Sequence, residues 1–219
     1  PDLREDAVLI REQAERCRDI LRDMGRAGKD DLHLRQAPLS TVIHEAAEPH
    51  INRGKEIHFD EAPLEDGSFQ QPTILRKPEI IHGLRNLVQN AVDFSRTTVW
   101  IESTWNDEKI TLNIHDDGRG FSPHLLGRIG DPFMRRRRSE TDRKQRPEYQ
   151  GMGLGLFIAK TLLERTGAEL KFANGASEPP PHPSDRPGAI VVVSWPRGKI
   201  DAQFGENAVP KGKNKWIEV

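Results

Sequence analysis

Between Asn86 and Ser95 the chain reads Asn-Leu-Val-Gln-Asn-Ala-Val-Asp-Phe-Ser, and the run from Glu79 to Arg85 leads into it. On a helix, Ile80, Leu84, Leu87, Val88 and Ala91 share one side, whereas His82, Asn86, Asn90 and Asp93 share the opposite one. Asn and Asp are mediocre helix formers because their side chains compete for backbone hydrogen bonds. A stripe of them on an otherwise amphipathic helix asks for a chemical reason. Carboxamide oxygens at this spacing can hold a hydrated magnesium ion and polar ligand atoms.

Two glycine-rich turns could complete such a site. Asp116-Asp-Gly-Arg-Gly-Phe121 follows an apolar strand pattern. Glycines there let backbone approach a planar ligand, and a carboxylate can accept a hydrogen bond from an exocyclic amine such as that of adenine. Gly151-Met-Gly-Leu-Gly-Leu156 opens a helix, so its backbone N–H groups and the helix N-terminus can cradle phosphates. This run is neither a dinucleotide-binding fingerprint, since no strand leads into it, nor a P-loop, since the Gly-Lys-Ser/Thr ending is absent.

The elements that must position these residues can be read from pattern. Pro78 opens the helix that carries the Asn stripe, as proline tolerates the first helical position. Before it, Pro38 to Asn52 reads as an amphipathic helix strained by Pro49, followed by a short strand at Ile57-His-Phe-Asp and a loop from Pro63 to Gln71. Thr98 to Thr104 and Lys109 to His115 read as a hairpin joined through Trp105-Asn-Asp-Glu. A long polar segment from Ser122 to Gln150 carries a short helical patch near Leu125. The Gly151 run then leads into a helix that stops at Gly167. Strands at Ala168 to Ala173 and Ala189 to Trp195 flank a Pro-rich loop from Glu178 to Pro187, which is expected to be mobile. Beyond Pro196 a Lys- and Gly-rich tail offers little core material.

Composition bounds the rest. Charged residues make up 31% of the 219 positions and the net charge is -1, which gives no global case for nucleic acid or an anionic surface. No apolar run reaches the roughly 20 residues needed to cross a bilayer. The opening Pro1-Asp-Leu-Arg is expected to be an internal start, with a membrane region possible upstream. At the front, Leu3, Ile10, Cys17 and Met24 repeat every seven residues, with Ala7, Ala14 and Leu21 as a companion series. Two such series form the seam of a coiled coil or bundle, and a lone helix of this length needs partners. Gly25 and Gly28 end it, and a linker runs to Gln36. The single cysteine excludes an internal disulfide and permits one between two chains.

An Asn stripe on a helix, Asp-x-Gly-x-Gly after a strand, a basic loop and Gly-x-Gly-x-Gly on a helix, in that order, resemble the ATP-binding domain of sensor histidine kinases. That domain belongs to the wider GHKL family shared with gyrase, Hsp90 and MutL. The N box is then Asn86 to Ser95, the G1 box Asp116 to Gly120, the F box Asp131-Pro-Phe-Met134 and the G2 box Gly151 to Leu156. The resemblance implies an α/β (α+β two-layer) sandwich of the Bergerat type, a mixed sheet with helices on one face, plus an N-terminal coiled-coil or bundle helix. It implies ATP and magnesium as cofactors, with Asn90 as metal ligand and, together with Asn86 on the phosphate side, the catalytic pair. Asp116 would read adenine, Gly118 and Gly120 would shape its pocket, and Phe133 would belong to the F box. Gly153 and Gly155 would meet the phosphates, with Gly151, Leu154 and Leu156 as further nucleotide-binding members of the G2 box. Asp93 stands where the family often has Lys or Arg, so its place among the nucleotide contacts departs from the pattern. The segment between the F and G2 boxes would form the ATP lid; its Arg135 to Arg138, Arg143 and Lys144 read either as a solvated loop or, more sharply, as the source of one arginine that supplies the lost phosphate contact.

The resemblance also divides the chain: 1–27 as the second helix of a dimerisation and phosphotransfer hairpin, 28–37 as linker, 38–197 as catalytic domain and 198–219 as polar tail. The segment Leu9 to Leu21 is similar to that of RegB/PrrB-type redox-sensing kinases, which carry a cysteine there, so Cys17 is a redox candidate. His44-Glu imitates the start of a phosphoacceptor box, but the rest of the box is wrong and it follows the bundle helix; the acceptor histidine is expected upstream of Pro1. The implied function is transfer of the ATP γ-phosphoryl to that histidine for relay to a response regulator. The implied partners are a second copy of the chain, paired through the N-terminal helix, and the regulator, with no direct nucleic acid. The implied location is the cytoplasmic part of a bacterial inner-membrane protein, with membrane contact only through upstream segments. The rivals are a GHKL ATPase that drives a clamp and a nucleotide-binding regulator without phosphotransfer. Clamp ATPases typically carry a catalytic Glu early in the N-box helix, where this chain offers His82 and Asn86.

Overall fold

A computed structural model describes residues 36–65, 70–123, 126–129, 155–175 and 186–204. In chain order these form β1 (Gln36–Pro38), α1 (Leu39–Ala47), a 3-10 turn (Glu48–His50), β2 (Glu56–Pro63), β3 (Thr73–Leu75) and α2 (Pro78–Phe94). There follow β4 (Thr98–Trp105), β5 (Lys109–Asp116), a 3-10 turn (Leu126–Arg128), α3 (Gly155–Glu164), β6 (Glu169–Asn174), β7 (Ala189–Pro196) and α4 (Arg197–Ile200).

Five strands make one mixed sheet in the order β2-β4-β5-β7-β6. β2 runs parallel to β4, and the remaining neighbours are antiparallel. Along β4, β5 and β7 every second residue is buried, the signature of a sheet covered on one face. The cover is helical. Ile80, Leu84, Leu87, Val88 and Ala91 of α2 are all buried, and they join Val99, Ile101, Leu112, Ile114 and Val193 of the sheet in one apolar core. α1 adds Leu39, Val42, Ile43, Ala46 and Ala47. It tightens into the 3-10 turn at Pro49, where proline cannot continue the α-helical ladder. α3 packs beside α2 through Gly83, whose missing side chain admits Leu163. This is the expected sandwich.

Two expectations are corrected. Gln36–Pro38, read as linker up to residue 37, pairs with Thr73–Leu75 in a separate two-stranded sheet that sets Ala37 opposite Ile74. Three-residue strands are too short to show a period of two, which is why the sequence pattern missed both. The start of the tail is also core: Ile200 and Ala202 are buried, and the buried Arg197 guanidinium bonds Asp201 at 2.8 Å and the Asn106 carbonyl at 2.9 Å. Composition suggested solvent there because arginine and aspartate count as polar until they are paired. The N-terminal helix, Cys17, the F box with Phe133, the lid arginines and most of the Pro-rich loop lie outside the described residues.

Candidate functional site

The polar side of α2 is built with fixed orientation. Asn86 Nδ2 donates to the His82 carbonyl at 2.8 Å, and Asn90 Nδ2 donates to the Asn86 carbonyl at 2.6 Å. Each carboxamide spends its NH2 group on the backbone one turn earlier, so each presents its oxygen outward. The reverse orientation would set two carbonyl oxygens against each other. Asn86 is only 5% exposed, and among the described residues its Oδ1 is buried with no hydrogen-bond partner. An unpaired acceptor in such a place costs about 1–3 kcal/mol. It is tolerable where a ligand supplies the missing charge, and a hard cation suits an amide oxygen. Among the described residues no group of three His, Cys, Asp or Glu could hold a metal ion by itself. A magnesium ion here would therefore rely on amide oxygens and on oxygens of its ligand, in keeping with its habit of sharing phosphates with few protein groups.

Gly155, the first residue of α3, closes on this stripe. A Cβ placed on it would lie 3.1 Å from Asn90 Nδ2, which joins the end of the glycine run to the Asn helix. Leu156 turns inward and packs against the core. Gly151, Gly153 and Leu154 lie outside the described residues.

At the sheet end of α2, Asp116 terminates β5 and is 4% exposed. Its Oδ1 accepts from the backbone N–H of Gly118 at 2.8 Å and of Ala189 at 3.3 Å. Burial pushes its carboxyl above the usual range, and those two hydrogen bonds offset only part of the effect. Gly118 runs so close to the end of α2 that any Cβ would overlap the Phe94 carbonyl oxygen. Gly120 has φ +72°, and a side chain there would press on Asn174.

Several contributors escaped sequence reasoning. Asn174, at the end of β6, grips Phe121 as a strand would: its Oδ1 accepts from Phe121 N at 2.6 Å and its Nδ2 donates to Phe121 O at 2.8 Å. Asp117 accepts from the N–H groups of Arg96 (2.7 Å) and Thr97 (3.0 Å) and from the Thr97 hydroxyl (2.5 Å), tying the end of α2 to the Asp116 turn. Burial raises the Asp117 carboxyl, but these hydrogen bonds outweigh it and leave it below the usual range. Asp93 is already engaged as an acceptor: its carboxylate meets Arg53 Nη2 at 3.0 Å. The adjacent acidic pair at 116 and 117 was a visible signal; nothing in the pattern marked Arg53 or Asn174.

The arrangement has known counterparts. Residues 76–199 match the family described as histidine kinase-, DNA gyrase B-, and HSP90-like ATPase. The chain belongs to that family. ATP binding comes with membership. Over 216 residues, 95% of this chain, it is 60% identical to Sensor histidine kinase RegB of Cereibacter sphaeroides, of which it covers 46%. It is 30% identical over 126 residues, 58% of this chain, to Sensor histidine kinase CpxA of Escherichia coli, covering 25% of that protein. The chain thus spans less than half the length of these curated relatives. Among solved structures, a mycobacterial sensor histidine kinase, MprB, superposes with a TM-score of 0.55 at 19% identity, covering 74% of this chain and 95% of that one; this likeness carries the GHKL fold alone.

Proposed function

We propose that the chain is the catalytic region of a bacterial sensor histidine kinase, which transfers the γ-phosphoryl of Mg-ATP to a histidine on an upstream helix. The buried Oδ1 of Asn86, unpartnered among the described residues and one helical turn from Asn90, which lies beside Gly155, carries this reading. Asn90 and Asn86 would hold the magnesium ion, which when bound neutralises charge on the phosphate oxygens. Asp116 would accept from the adenine amino group, with its Oδ1 locked by Gly118 and Ala189. The domain's contribution to the transfer is then position and charge, as expected for phosphoryl transfer.

The likeness to RegB over nearly the whole chain extends the proposal. Residues 1–27 would form the second helix of a dimerisation hairpin, with Cys17 as a redox-responsive position on its seam. A response regulator would receive the phosphoryl group, and upstream segments would anchor the protein at the inner membrane with this part in the cytoplasm. Among the described residues no helix is long and apolar enough to cross a membrane.

Incubating the 219-residue chain with γ-labelled ATP and the separately supplied upstream helix of the Cereibacter relative tests the core of this. Acid-labile, base-stable label on the helix supports the kinase. Release of labelled phosphate without transfer supports the clamp ATPase, and nucleotide binding with neither outcome supports a regulator.

A further inference from the structure

Asp93 poses an electrostatic problem. It lies three residues beyond Asn90 and seven beyond Asn86 on the same face of α2, and its side chain is only 5% exposed. A triphosphate carries several negative charges, and a buried carboxylate on the face that receives it would repel it across a poorly screened medium. The Arg53 guanidinium answers this. Nη2 meets Asp93 Oδ1 at 3.0 Å and Nη1 lies 3.5 Å from His50 Nδ1, yet 40% of the side chain stays open. A guanidinium has five N–H donors, and a single carboxylate bond leaves most of them to present elsewhere.

The segment that bears Arg53 is held against the end of α2. Gly54 turns the chain at φ +74°, and Lys55 Nζ then donates to the carbonyl oxygens of Ser95, at 3.1 Å, and Arg96. Those carbonyls lie just past the C-terminus of α2, where the helix dipole favours a cation. Arg53, in the segment between α1 and β2, is thus held beside the Asp93 end of the polar stripe, with its charge paired to Asp93 before any ligand arrives.

We infer that Arg53, anchored by Asp93, contacts the polyphosphate of the bound nucleotide. The pair turns an unfavourable carboxylate into the mount of a phosphate-binding guanidinium. This rests on the nucleotide reading given above and assigns to the segment between α1 and β2 a contact that sequence reasoning sought in the lid.

Calorimetry on the whole chain with ATP, ADP and adenosine, each with magnesium, tests it. Arg53→Ala should weaken ATP by about 10–100-fold, the range for losing a hydrogen bond to a charged group, weaken ADP, and leave adenosine unchanged. Because that variant strands a buried carboxylate, the double variant Arg53→Gln/Asp93→Asn, uncharged and of similar shape, is measured beside it; it should fold with wild-type circular dichroism and show the same ATP-selective loss. Equal losses for ATP and adenosine, or an unchanged ATP affinity in the double variant, would overturn the inference while the nucleotide reading stands. A wild-type chain that binds no nucleotide would take both down.

Discussion

Asp116 and Asn86 are both buried acceptors of the proposed site, yet Asp116 has its Oδ1 filled by two backbone N–H groups, whereas Asn86 Oδ1 has no partner among the described residues. The sheet end is finished before a ligand arrives, because main chain from β5 and β7 supplies the donors. At the helix end the two carboxamides are aimed by hydrogen bonds to the backbone one turn earlier, and no backbone N–H fills Asn86 Oδ1 among the described residues. Recognition of a base can be prebuilt from rigid backbone. In the proposed reading a cation and phosphates would be held at the helix end by groups whose hydrogen bonding is completed on binding, so that end carries a standing cost.

The largest effect should come from the helix end. Asn90→Ala is expected to lower magnesium-dependent ATP affinity by at least about 100-fold, the upper end for disturbed metal sites, with little change in adenosine affinity. Titrating ATP with and without magnesium reads this; equal losses in both series would make Asn90 a packing residue.

Asp116→Ala should cost about 10–100-fold in affinity for adenosine and ATP alike, the loss of a hydrogen bond to a charged acceptor, and should erase preference for adenine over guanine nucleotides. The pH dependence carries the same message. Burial raises the native carboxyl of Asp116, so its contribution to stability is full below the unfolded carboxylate value and is lost as pH rises through the native one. In the proposed role Asp116 accepts from the adenine amino group in its ionised form. Affinity should therefore begin to fall on acidification at a higher pH than an ordinary carboxylate would dictate. Asp117, lowered by its hydrogen bonds, works in the opposite sense: its contribution is present above the unfolded value and lost as pH falls through the native one. Binding should consequently fail before the fold does, as parallel calorimetry and thermal melts from neutral pH downward would show; coincident loss would break the contrast.

Gly118→Ala should destabilise the chain by about 1–3 kcal/mol, as overpacking does, because its Cβ meets main chain that cannot step aside. A fall in Tm of about 2–4 °C per kcal/mol is the readout. The smallest stability change should come from Asn86→Leu. Replacing a satisfied buried carboxamide would cost about 1–3 kcal/mol, but an acceptor already unpaired has less to lose, so the melt should shift by no more than about 1 kcal/mol while ATP affinity falls. A large destabilisation would mean that Asn86 is structural.

Much was legible in the chain because it rests on local pattern. The 3.6-residue period separated the buried Ile80, Leu84 and Leu87 from the polar stripe, alternation located β4, β5 and β7, and Pro78 and Gly167 marked helix ends. The order of the Asn helix, the Asp116 turn and the glycine run pointed to the family without any knowledge of distances. Contacts between segments remote in sequence were not legible. Neither the pairing of Gln36–Pro38 with Thr73–Leu75, nor the burial of Arg197 against Asp201 and Asn106, nor the grip of Asn174 on Phe121 leaves a periodic trace. Asp93 shows the limit most clearly. Sequence placed it on the right face of the helix, but whether its charge repels a phosphate or mounts a guanidinium depends on Arg53, forty residues earlier, and only the packing of the segment after α1 against the end of α2 brings the two within 3.0 Å.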